Sequence, residues 1–513
     1  LSKRYQNMAK HLAESRSDDV FQLYANAVTS VYDPHTNYFS PRTGEDFDIN
    51  MSLSLEGIGA QLTLEDEVIT IKELIAGGPA KQSGKLARND KILAVAQGQT
   101  GAMEDVVGWR LDDAVRLIRG KRGTTVRLRI EKAINDEVVD VVLVRDKIKL
   151  EESAAKSEIK GIEKDGKVYR IGIIDLPSFY IDFDAANRGE KNYRSTTRDV
   201  KRLIQQLEKD GIDGLMIDLR DNGGGSLAEA VDLTGLFFDK GPVVQVRRAG
   251  GEVTVHADDD NETIYDGPLA VLINQNSASA SEIFAGAIKD YGRGVILGEP
   301  TFGKGTVQTV IDLARFLPSV KDSVGQLKMT IAMFYRVNGS STQLKGVTPN
   351  IYIPNENSYL PGGESEEDHA LPWHKIKGKK HQQFNQVTAL LPTLQRDYEQ
   401  DNANNPLMQT LLAMTAWQKQ QSEDTIVPLS LKKRHERRDA IRDKSLRFQN
   451  AFRKFYGYPQ LTADYWEKKD KDKTDAEIDA DEQYEVDPIL SIATTTAADY
   501  VRLLQQPHAI ARQ

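Results

Sequence analysis

Three serines alternate with alanines in the segment Asn276-Ser277-Ala278-Ser279-Ala280-Ser281-Glu282, which follows an apolar run and opens an amphipathic helical pattern. A serine at a strand-to-helix turn projects from the edge of a sheet. The first N–H groups of the helix then point toward an oxyanion that forms beside it. The pattern therefore suits a nucleophile. It also fits helix capping, with Glu282 completing a capping box.

A second segment of this kind is Asp218-Leu219-Arg220-Asp221-Asn222-Gly223-Gly224-Gly225, which again follows an apolar strand pattern and precedes a helix. Three consecutive glycines let the backbone bend and expose its N–H groups to a ligand such as an oxyanion or a phosphate. The spacing Gly223-x-Gly225-x-x-Ala228 resembles a dinucleotide-binding loop. The polar residues before it do not suit that function, and such a match alone is weak.

The third segment, Gly298-Glu299-Pro300-Thr301-Phe302-Gly303-Lys304-Gly305-Thr306, nearly matches a phosphate-binding loop. Gly305 stands where the magnesium-binding hydroxyl belongs, and a β-branched strand pattern follows instead of a helix. The sequence therefore argues against a nucleotide site. It leaves Lys304 between two glycines at the entrance to a strand, where an exposed surface lysine is the simplest interpretation.

Histidine, thiol and metal chemistry find little support. There is no cysteine and no G-x-S-x-G sequence, and His256 is the only histidine between residues 167 and 312. No histidine or carboxylate cluster has metal-ligand spacing. We therefore expect no metal and no other cofactor.

Strand and helix patterns divide the chain. Residues 167–312 alternate apolar strands with helices, which predicts an α/β core with largely parallel strands. Residues 50–133 place short strands around one helix at Leu111–Arg119. Residues 1–30 and 375–456 have helical periodicity, and the highly charged stretch Lys468–Glu485 is expected to be mobile. The predicted domains are 1–49, 50–133, 134–354 and 355–513.

The composition is that of an ordinary soluble protein, with 28% charged and 39% hydrophobic residues. The net charge of −9 argues against nucleic acid as a partner. The basic run 432–438 is interpreted as a solvated helix face. No apolar run approaches the ~18 residues of a transmembrane helix. Because the chain opens at Leu1, a processed or trimmed N-terminus is expected.

The three glycine- and serine-containing segments together resemble the tail-specific, or C-terminal processing, serine peptidases in their long form. The resemblance covers residues 33–354. It includes Asp33-Pro34-His35, Glu56-Gly57-Ile58-Gly59-Ala60 and Gly346-Val347-Thr348-Pro349. It implies a multidomain α/β fold, in which a crotonase-like peptidase core carries an inserted PDZ-like domain and helical N- and C-terminal regions. It also implies an exported, periplasmic bacterial protein.

The resemblance further implies a Ser–Lys catalytic site. Its members would be the nucleophile Ser279, the general base Lys304, Gln308 holding the lysine amine, Gly225 and Ala280 forming the oxyanion hole, and Asp290 in a supporting role. A lysine is a base only when it is neutral, and its free pKa is about 10.4. Burial must therefore lower that pKa to about 7–8. We also expect no carboxylate tightly paired with Lys304.

The 50–133 unit resembles a PDZ domain whose carboxylate-binding loop is formed by Gly57, Ile58, Gly59 and Ala60. Successive N–H groups there would hold a C-terminal carboxylate, and the peptide would add as a strand beside Ala60–Leu64. The expected partners are proteins or peptides with apolar C-termini. The C-terminal third either clamps the peptidase core or contacts an adaptor protein, and the sequence does not fix an oligomeric state.

Two other functions remain open on the sequence alone. A non-catalytic scaffold would use the PDZ-like unit and carry an inert core. A crotonase-like acyl-transfer enzyme would use the glycine-rich loop for thioester chemistry, although it has no need of a tail-binding module. Loss of activity in Ser279→Ala and Lys304→Ala variants would separate the enzyme from the scaffold, and a coenzyme A binding test would separate the two enzymes.

Overall fold

The computed structural model describes residues 2–260, 262–320, 324–355, 358–360, 362–384, 386–466, 484 and 486–506. It divides into two compact units. Unit 1 contains residues 1–154, 180–195 and 310–329, and unit 2 contains residues 155–179, 196–309 and 330–513. The predicted mobile stretch, 468–485, lies outside the described residues except for position 484.

Helices and strands alternate along most of the chain. As far as residue 154 they are α1 Ser2–Ala13, α2 Ser17–Thr29, β1 Asn37–Phe39, α3 Pro41–Ser52, β2 Ser54–Gly57, β3 Ala60–Glu65, β4 Val68–Leu74, α4 Pro79–Ser83, β5 Lys91–Gln97, β6 Glu104–Asp105, α5 Leu111–Ile118, β7 Thr125–Glu131, β8 Val138–Val144 and β9 Asp146–Lys149. Beyond it they are β10 Lys156–Lys164, β11 Lys167–Asp175, α6 Phe183–Asn187, α7 Thr196–Lys209, β12 Gly214–Asp218, α8 Leu227–Gly235, β13 Gly241–Arg248, β14 Val253–Asp258, β15 Leu269–Ile273, α9 Ala280–Tyr291, β16 Val295–Gly298, β17 Thr306–Asp312, β18 Gln326–Tyr335, β19 Ile351–Tyr352, α10 Gln386–Ala403, α11 Pro406–Glu423, α12 Leu431–Phe455 and α13 Pro488–Gln505.

Most of unit 1 is a β-sheet domain with its own core. The antiparallel strands run in the order β3-β4-β5-β7-β8, with β6 beside β5, while β2 pairs with β9. Alternate residues of β7, Val126, Leu128 and Ile130, are fully buried, as the period of a half-buried strand requires. The helix α5 contacts β3 and β5. The predicted short strands and the helix at 111–119 are thus confirmed, and the structure adds the short helix α4.

The N-terminal helices of unit 1 keep most of their apolar side chains in solvent. Their spacing predicted helices correctly, but the apolar residues of α1 and α2 are largely uncovered: Tyr5, Met8, Leu12, Val20, Leu23, Tyr24 and Val28 are all exposed. After α2, the strand β1 pairs antiparallel with the first residues of β18, Asn37 lying opposite Lys328.

Unit 2 is built on a six-stranded sheet of order β10-β11-β12-β15-β16-β19. All neighbouring pairs from β11 to β19 are parallel, and β10 is antiparallel to β11. The strands β12 and β15 are buried along their whole length, which explains their unbroken apolar sequences. The predicted α/β core with largely parallel strands is confirmed. The carboxyl ends of β12 and β15 lead directly into the glycine-rich and serine-rich segments.

The C-terminal helices share a hydrophobic core with this sheet. The helices α10 to α12 agree with the helical periodicity of 375–456, and Val387, Leu390 and Leu394 of α10 are buried. The helix α13 contacts five strands, β10, β11, β12, β15 and β16. A side chain at Gly214 of β12 would meet Val501 of α13 at 2.5 Å, so the helix lies close against the sheet. None of the helices in the described part of the chain is long and apolar enough to cross a membrane.

Candidate active site

Ser279 occupies a strained turn between β15 and α9. Its backbone angles, φ 58° and ψ −111°, are uncommon for a residue with a side chain. It is the last residue before the helix begins at Ala280 and is partly exposed, whereas both of its neighbours are buried. The turn thus presents one hydroxyl group at the N-terminus of a helix, which is the setting that the sequence predicted for a nucleophile.

The carboxylate of Glu282 joins this turn to the loop that carries Lys304. Its Oε2 atom accepts the backbone N–H groups of Ser279 and Lys304, each at 2.8 Å. Two nitrogens that are each 2.8 Å from one oxygen lie within twice that distance, 5.6 Å, of each other. The structure therefore brings together two residues that are far apart in the sequence.

The other carboxylate oxygen of Glu282 holds the same loop. Oε1 accepts the Thr301 hydroxyl at 2.6 Å and the Gly303 N–H at 2.8 Å. Glu282 is completely buried, and burial raises its pKa to about 7, against the opposing effect of the four donors. Because all four partners donate, the ionised carboxylate is the form that satisfies them. The predicted capping box is present, and the structure shows in addition that Glu282 holds the loop that carries Lys304.

The triple-glycine loop packs against the Ser279 turn. Gly224 has a φ of 103°, and a Cβ atom there would lie 2.8 Å from the Ala278 carbonyl oxygen and 2.8 Å from the Ser279 Cβ. Gly225 has a φ of 145°, and a Cβ atom there would lie 2.2 Å from the Phe179 carbonyl oxygen. Only glycine fits at either position. A Cβ atom at Gly223 would meet nothing within 4 Å.

The N–H groups of Gly225 and Ala280 are not used by the neighbouring backbone hydrogen bonds of the described structure, which are the bridge to Phe179 and the bonds within α9. Phe179 forms an isolated parallel bridge with Gly225, in which Phe179 donates to Gly224 and accepts from Ser226. The Gly225 N–H therefore points to the opposite side. Ala280 begins α9, so its N–H has no acceptor within the helix. Both predicted oxyanion donors thus remain available in the described structure.

Asn222 and Asp221 fix the glycine loop to the serine turn. The Asn222 side chain donates to the Leu176 carbonyl at 2.7 Å and accepts the Gly224 N–H at 2.9 Å. Its own carbonyl accepts the Ala278 N–H and the Ser281 hydroxyl, both at 2.9 Å. Asp221 accepts both Asn274 and Asn276 side-chain amides. The polar residues that made a dinucleotide site unlikely therefore have a structural function here.

Lys304 is half-buried, and its flanking glycines pack against the segment 341–346. A Cβ atom at Gly305 would lie 2.7 Å from the Ser341 hydroxyl, and one at Gly303 would lie 3.1 Å from the Leu344 backbone. The Gly305 N–H donates to the Gln343 side-chain oxygen at 2.7 Å. Close packing on both sides explains why a lysine here stands between two glycines. It is not the freely exposed lysine of the simplest interpretation.

Gln308 lies on β17, which begins two residues after Lys304. Its amide nitrogen donates to the hydroxyls of Thr306 at 2.9 Å and Thr330 at 3.0 Å. Because both amide protons are then engaged, any hydrogen bond to the lysine amine would use the carboxamide oxygen. The hydrogen bond from Lys304 to Gln308 remains a prediction.

Asp290 lies at the far end of α9 and makes its contacts there. Its carboxylate accepts Arg336 Nε at 3.1 Å and the Asn338 amide at 2.9 Å, and it also binds Arg336 Nη2. The pair is mostly buried, with 7% of the Asp290 side chain and 14% of the Arg336 side chain exposed. The supporting role predicted for Asp290 would thus be exerted through Arg336.

The predicted peptide-binding loop lies beside a strand edge in unit 1. Ile58 is buried, and its carbonyl accepts the Ala80 N–H of α4 at 2.8 Å. Gly59 has a φ of 73° and contacts Gly78, where a Cβ atom would come within 2.9 Å. Ala60 begins β3, which is the edge strand of its sheet. Gly57 ends β2. The geometry offers an unpaired strand edge directly after the loop, with α5 alongside.

Sequence reasoning missed three residues that shape the site. Thr301 donates to Glu282, Gln343 accepts the Gly305 N–H, and Asn222 links Leu176 to Gly224. Their types gave no signal, since Glu282, Gly305 and Leu176 lie 19, 38 and 46 residues away in the chain. The glycines beside them gave the only hint, because three glycine-containing loops imply close backbone approach. No group of three or more potential metal ligands occurs among the residues that the structure describes.

Four family models match the chain in sequence. Peptidase family S41 matches residues 170–353, a PDZ domain 46–131, the tail specific protease N-terminal domain 1–42, and the C-terminal domain of tail specific protease 358–502. The tail-specific protease of Haemophilus influenzae is 45% identical over 439 residues, which cover 86% of this chain and 59% of that protein. This chain thus spans less than two thirds of that relative.

Two shorter relatives are covered more fully. The carboxy-terminal processing protease CtpA of Bacillus subtilis is 32% identical, over 68% of each chain. The carboxy-terminal-processing protease of Bartonella bacilliformis is 32% identical, over 73% of this chain and 82% of that protein. Among solved structures, the photosystem II D1 C-terminal processing protease is 25% identical, with a TM-score of 0.37 over 70% of this chain and 88% of that one. A PDZ domain of the Vibrio cholerae carboxy-terminal protease is 46% identical, with a TM-score of 0.18 over 19% of this chain and 100% of that one.

Proposed function

The chain belongs to peptidase family S41, and on that premise we propose that it is an ATP-independent serine endopeptidase with Ser279 as nucleophile and Lys304 as general base. The observation that carries the proposal is the shared carboxylate oxygen of Glu282. It fixes the backbone of both residues within one hydrogen-bonded cluster. A surface lysine or a simple helix cap would not require this connection.

Neutral Lys304 would take the proton of the Ser279 hydroxyl as its oxygen attacks the carbonyl carbon of the substrate. The resulting oxyanion would accept the N–H groups of Gly225 and Ala280. The tetrahedral intermediate would then expel the amine, which receives the proton from Lys304, and leave an acyl-enzyme. Water would attack the ester by the same route, with Lys304 again accepting and returning a proton. Gln308 would orient the lysine amine through its carboxamide oxygen.

Substrate selection is assigned to the PDZ domain. The loop Gly57-Ile58-Gly59-Ala60 would receive the C-terminal carboxylate, and the peptide would pair with the open edge of β3. Its last side chain would enter the apolar space between β3 and α5. The expected substrates are proteins with loose, apolar C-termini. Their location would be the bacterial periplasm, as proposed from the resemblance, and an adaptor protein remains a further proposed partner.

The test uses one reporter protein with two C-terminal tails, one apolar and one ending in aspartates. The parent protein should cleave the apolar-tailed reporter fast and the acidic-tailed reporter slowly, whereas Ser279→Ala and Lys304→Ala should cleave neither. Ser281→Ala is the comparison for loss of a serine hydroxyl in the same segment. Because that hydroxyl binds the Asn222 carbonyl and is not the proposed nucleophile, this variant should be less active than the parent but should retain more activity than Ser279→Ala. If the parent protein binds the apolar tail but cleaves the reporter no faster than Ser279→Ala does, the result would instead indicate a non-catalytic PDZ scaffold.

A further inference from the structure

Arg220 joins the glycine loop to the end of β12. Its guanidinium forms three hydrogen bonds with the Asp218 carboxylate, at 3.0, 3.0 and 2.7 Å. Its backbone N–H also donates to Asp218, at 3.0 Å. Asp218 is buried, so this pair is held at the carboxyl edge of the sheet, just before the loop that ends at Gly225. The guanidinium has a second face, which includes Nη1 and does not bind Asp218.

That face binds a residue from the C-terminal region. Arg220 Nη1 donates to Asp487 Oδ1 at 3.1 Å, and Nη2 donates to Asp487 Oδ2 at 2.7 Å. This is the bidentate geometry in which an arginine–carboxylate pair is strongest and most directional. The exposed fractions of the two side chains are 18% for Arg220 and 33% for Asp487.

Asp487 is itself fixed in place. It is the N-cap of α13 and accepts the Leu490 N–H at 2.8 Å. The Tyr456 hydroxyl of the α12 C-cap binds the Asp487 carbonyl at 3.2 Å and the Ser491 hydroxyl at 2.6 Å. Because α13 is packed against the peptidase sheet, the Asp487 carboxylate is a rigid anchor and not a mobile surface charge.

Resting on the proposed function, we infer that Asp487 is a positioning residue for peptide hydrolysis, which orients the oxyanion loop through its ion pair with Arg220. The route is short. Arg220 is followed by Asp221, whose φ is 59°, and by Asn222, which accepts the Gly224 N–H. A change in the Arg220 backbone therefore moves the segment that presents the Gly225 N–H. The C-terminal region thus completes the active site without touching substrate.

The expected effect is a loss in kcat and not in KM. Removal of a complete oxyanion donor costs roughly 10²- to 10³-fold in kcat. Asp487→Asn leaves the donor present but less well oriented, since Asp218 still binds Arg220. We therefore expect kcat to fall about 10-fold, below that limit. Asp487→Glu keeps the charge and should recover part of the activity.

The matched control is Asp397→Asn. Asp397 of α10 also binds an arginine of α13, Arg502, at 2.7 Å, and its side chain is 19% exposed. This pair stabilises the same C-terminal region but does not contact the glycine loop. Both variants should lose similar thermal stability, and only Asp487→Asn should lower kcat and weaken the binding of a peptidyl boronic acid that occupies the oxyanion site. Equal kcat in the two variants would overturn the inference.

Amide hydrogen exchange makes the test independent of activity. In the full-length protein, exchange in residues 219–226 should be faster in Asp487→Asn than in Asp397→Asn. If the loop is unchanged, the inference is wrong whatever the activity. If the loop is loosened but the parent is no more active than Ser279→Ala, the positioning stands and the proposed peptidase function fails.

Discussion

Replacement of Glu282 by glutamine tests most directly the connection between Ser279 and Lys304, the proposed nucleophile and base. Glutamine keeps one oxygen, which can serve two of the four donors, and turns an NH2 group toward the other two. At least two hydrogen bonds to a charged group are lost, each worth about 1.5–3 kcal/mol. The Ser279 turn and the Lys304 loop should then separate. A displacement near 1 Å can cost about 10²-fold in rate, and we expect a loss in kcat of that order.

Stability and activity should respond to pH in opposite directions. Burial raises the pKa of Glu282 from 4.5 to about 7. Between these values the unfolded chain ionises first and the folded state holds the proton, so stability falls as pH rises through the window. The full effect is about 3 kcal/mol. Activity should rise over the same range, because the ionised carboxylate holds both loops.

The assay measures kcat and the unfolding temperature from pH 5 to pH 9 in the parent and in Glu282→Gln. Glu299→Gln is the control, since Glu299 is also a buried carboxylate, lies at the start of the loop that carries Lys304, and has the partners Ser358, Asn355 and Tyr352. The parent should lose stability relative to Glu282→Gln between pH 5 and pH 7, and only Glu282→Gln should lose most of its kcat. Unchanged kcat in Glu282→Gln, or an equal loss in both variants, would refute the reasoning.

Two further predictions concern glycines. Gly224→Ala should lower kcat by about 10²-fold, because its Cβ would contact the Ser279 turn. The kcat of Gly223→Ala should stay within about 2-fold of the parent value, because its Cβ would meet nothing within 4 Å. Steady-state kinetics checks both variants, and equal losses of kcat would contradict the packing argument. Gly59→Ala should weaken the binding of a fluorescent peptide with an apolar C-terminus by about 10-fold, since its Cβ would meet Gly78. Gly77→Ala is its control, because Gly77 has a similar φ of 76° and open space around it, and equal binding losses would mean that backbone strain alone is responsible.

The sequence predicted the site best where the chemistry depended on local patterns. The apolar strands β12 and β15 and the polar segments after them were recognisable because parallel strands are buried along their length and their loops gather at one edge. The glycines were interpreted as giving a backbone that can bend and expose its N–H groups. The structure adds a second reason for them, since Gly224 and Gly305 each lie against a segment that is distant in the chain.

The parts that escaped prediction depend on partners far away in sequence. The type of Asp487 gives no hint that it binds Arg220, and Gln343 gives none that it binds Gly305. The sequence also could not show whether the apolar side chains of the N-terminal helices are buried. The same 3.6-residue periodicity predicts a helix whether its apolar side is covered or, as at Leu23 and Tyr24, exposed.

Asp290 would support the proposed site from a distance, through Arg336. It holds Arg336 at the end of β18, and the Arg336 N–H in turn binds the Ser340 carbonyl at 2.9 Å. The chain that follows this turn places Gln343, whose oxygen accepts the Gly305 N–H beside Lys304. Glu282 therefore fixes the Lys304 loop from one side, through the Lys304 N–H, while Asp290 fixes the segment that packs on it. Because loss of either carboxylate leaves buried donors unpaired, the lysine can be misplaced without any change at the lysine itself.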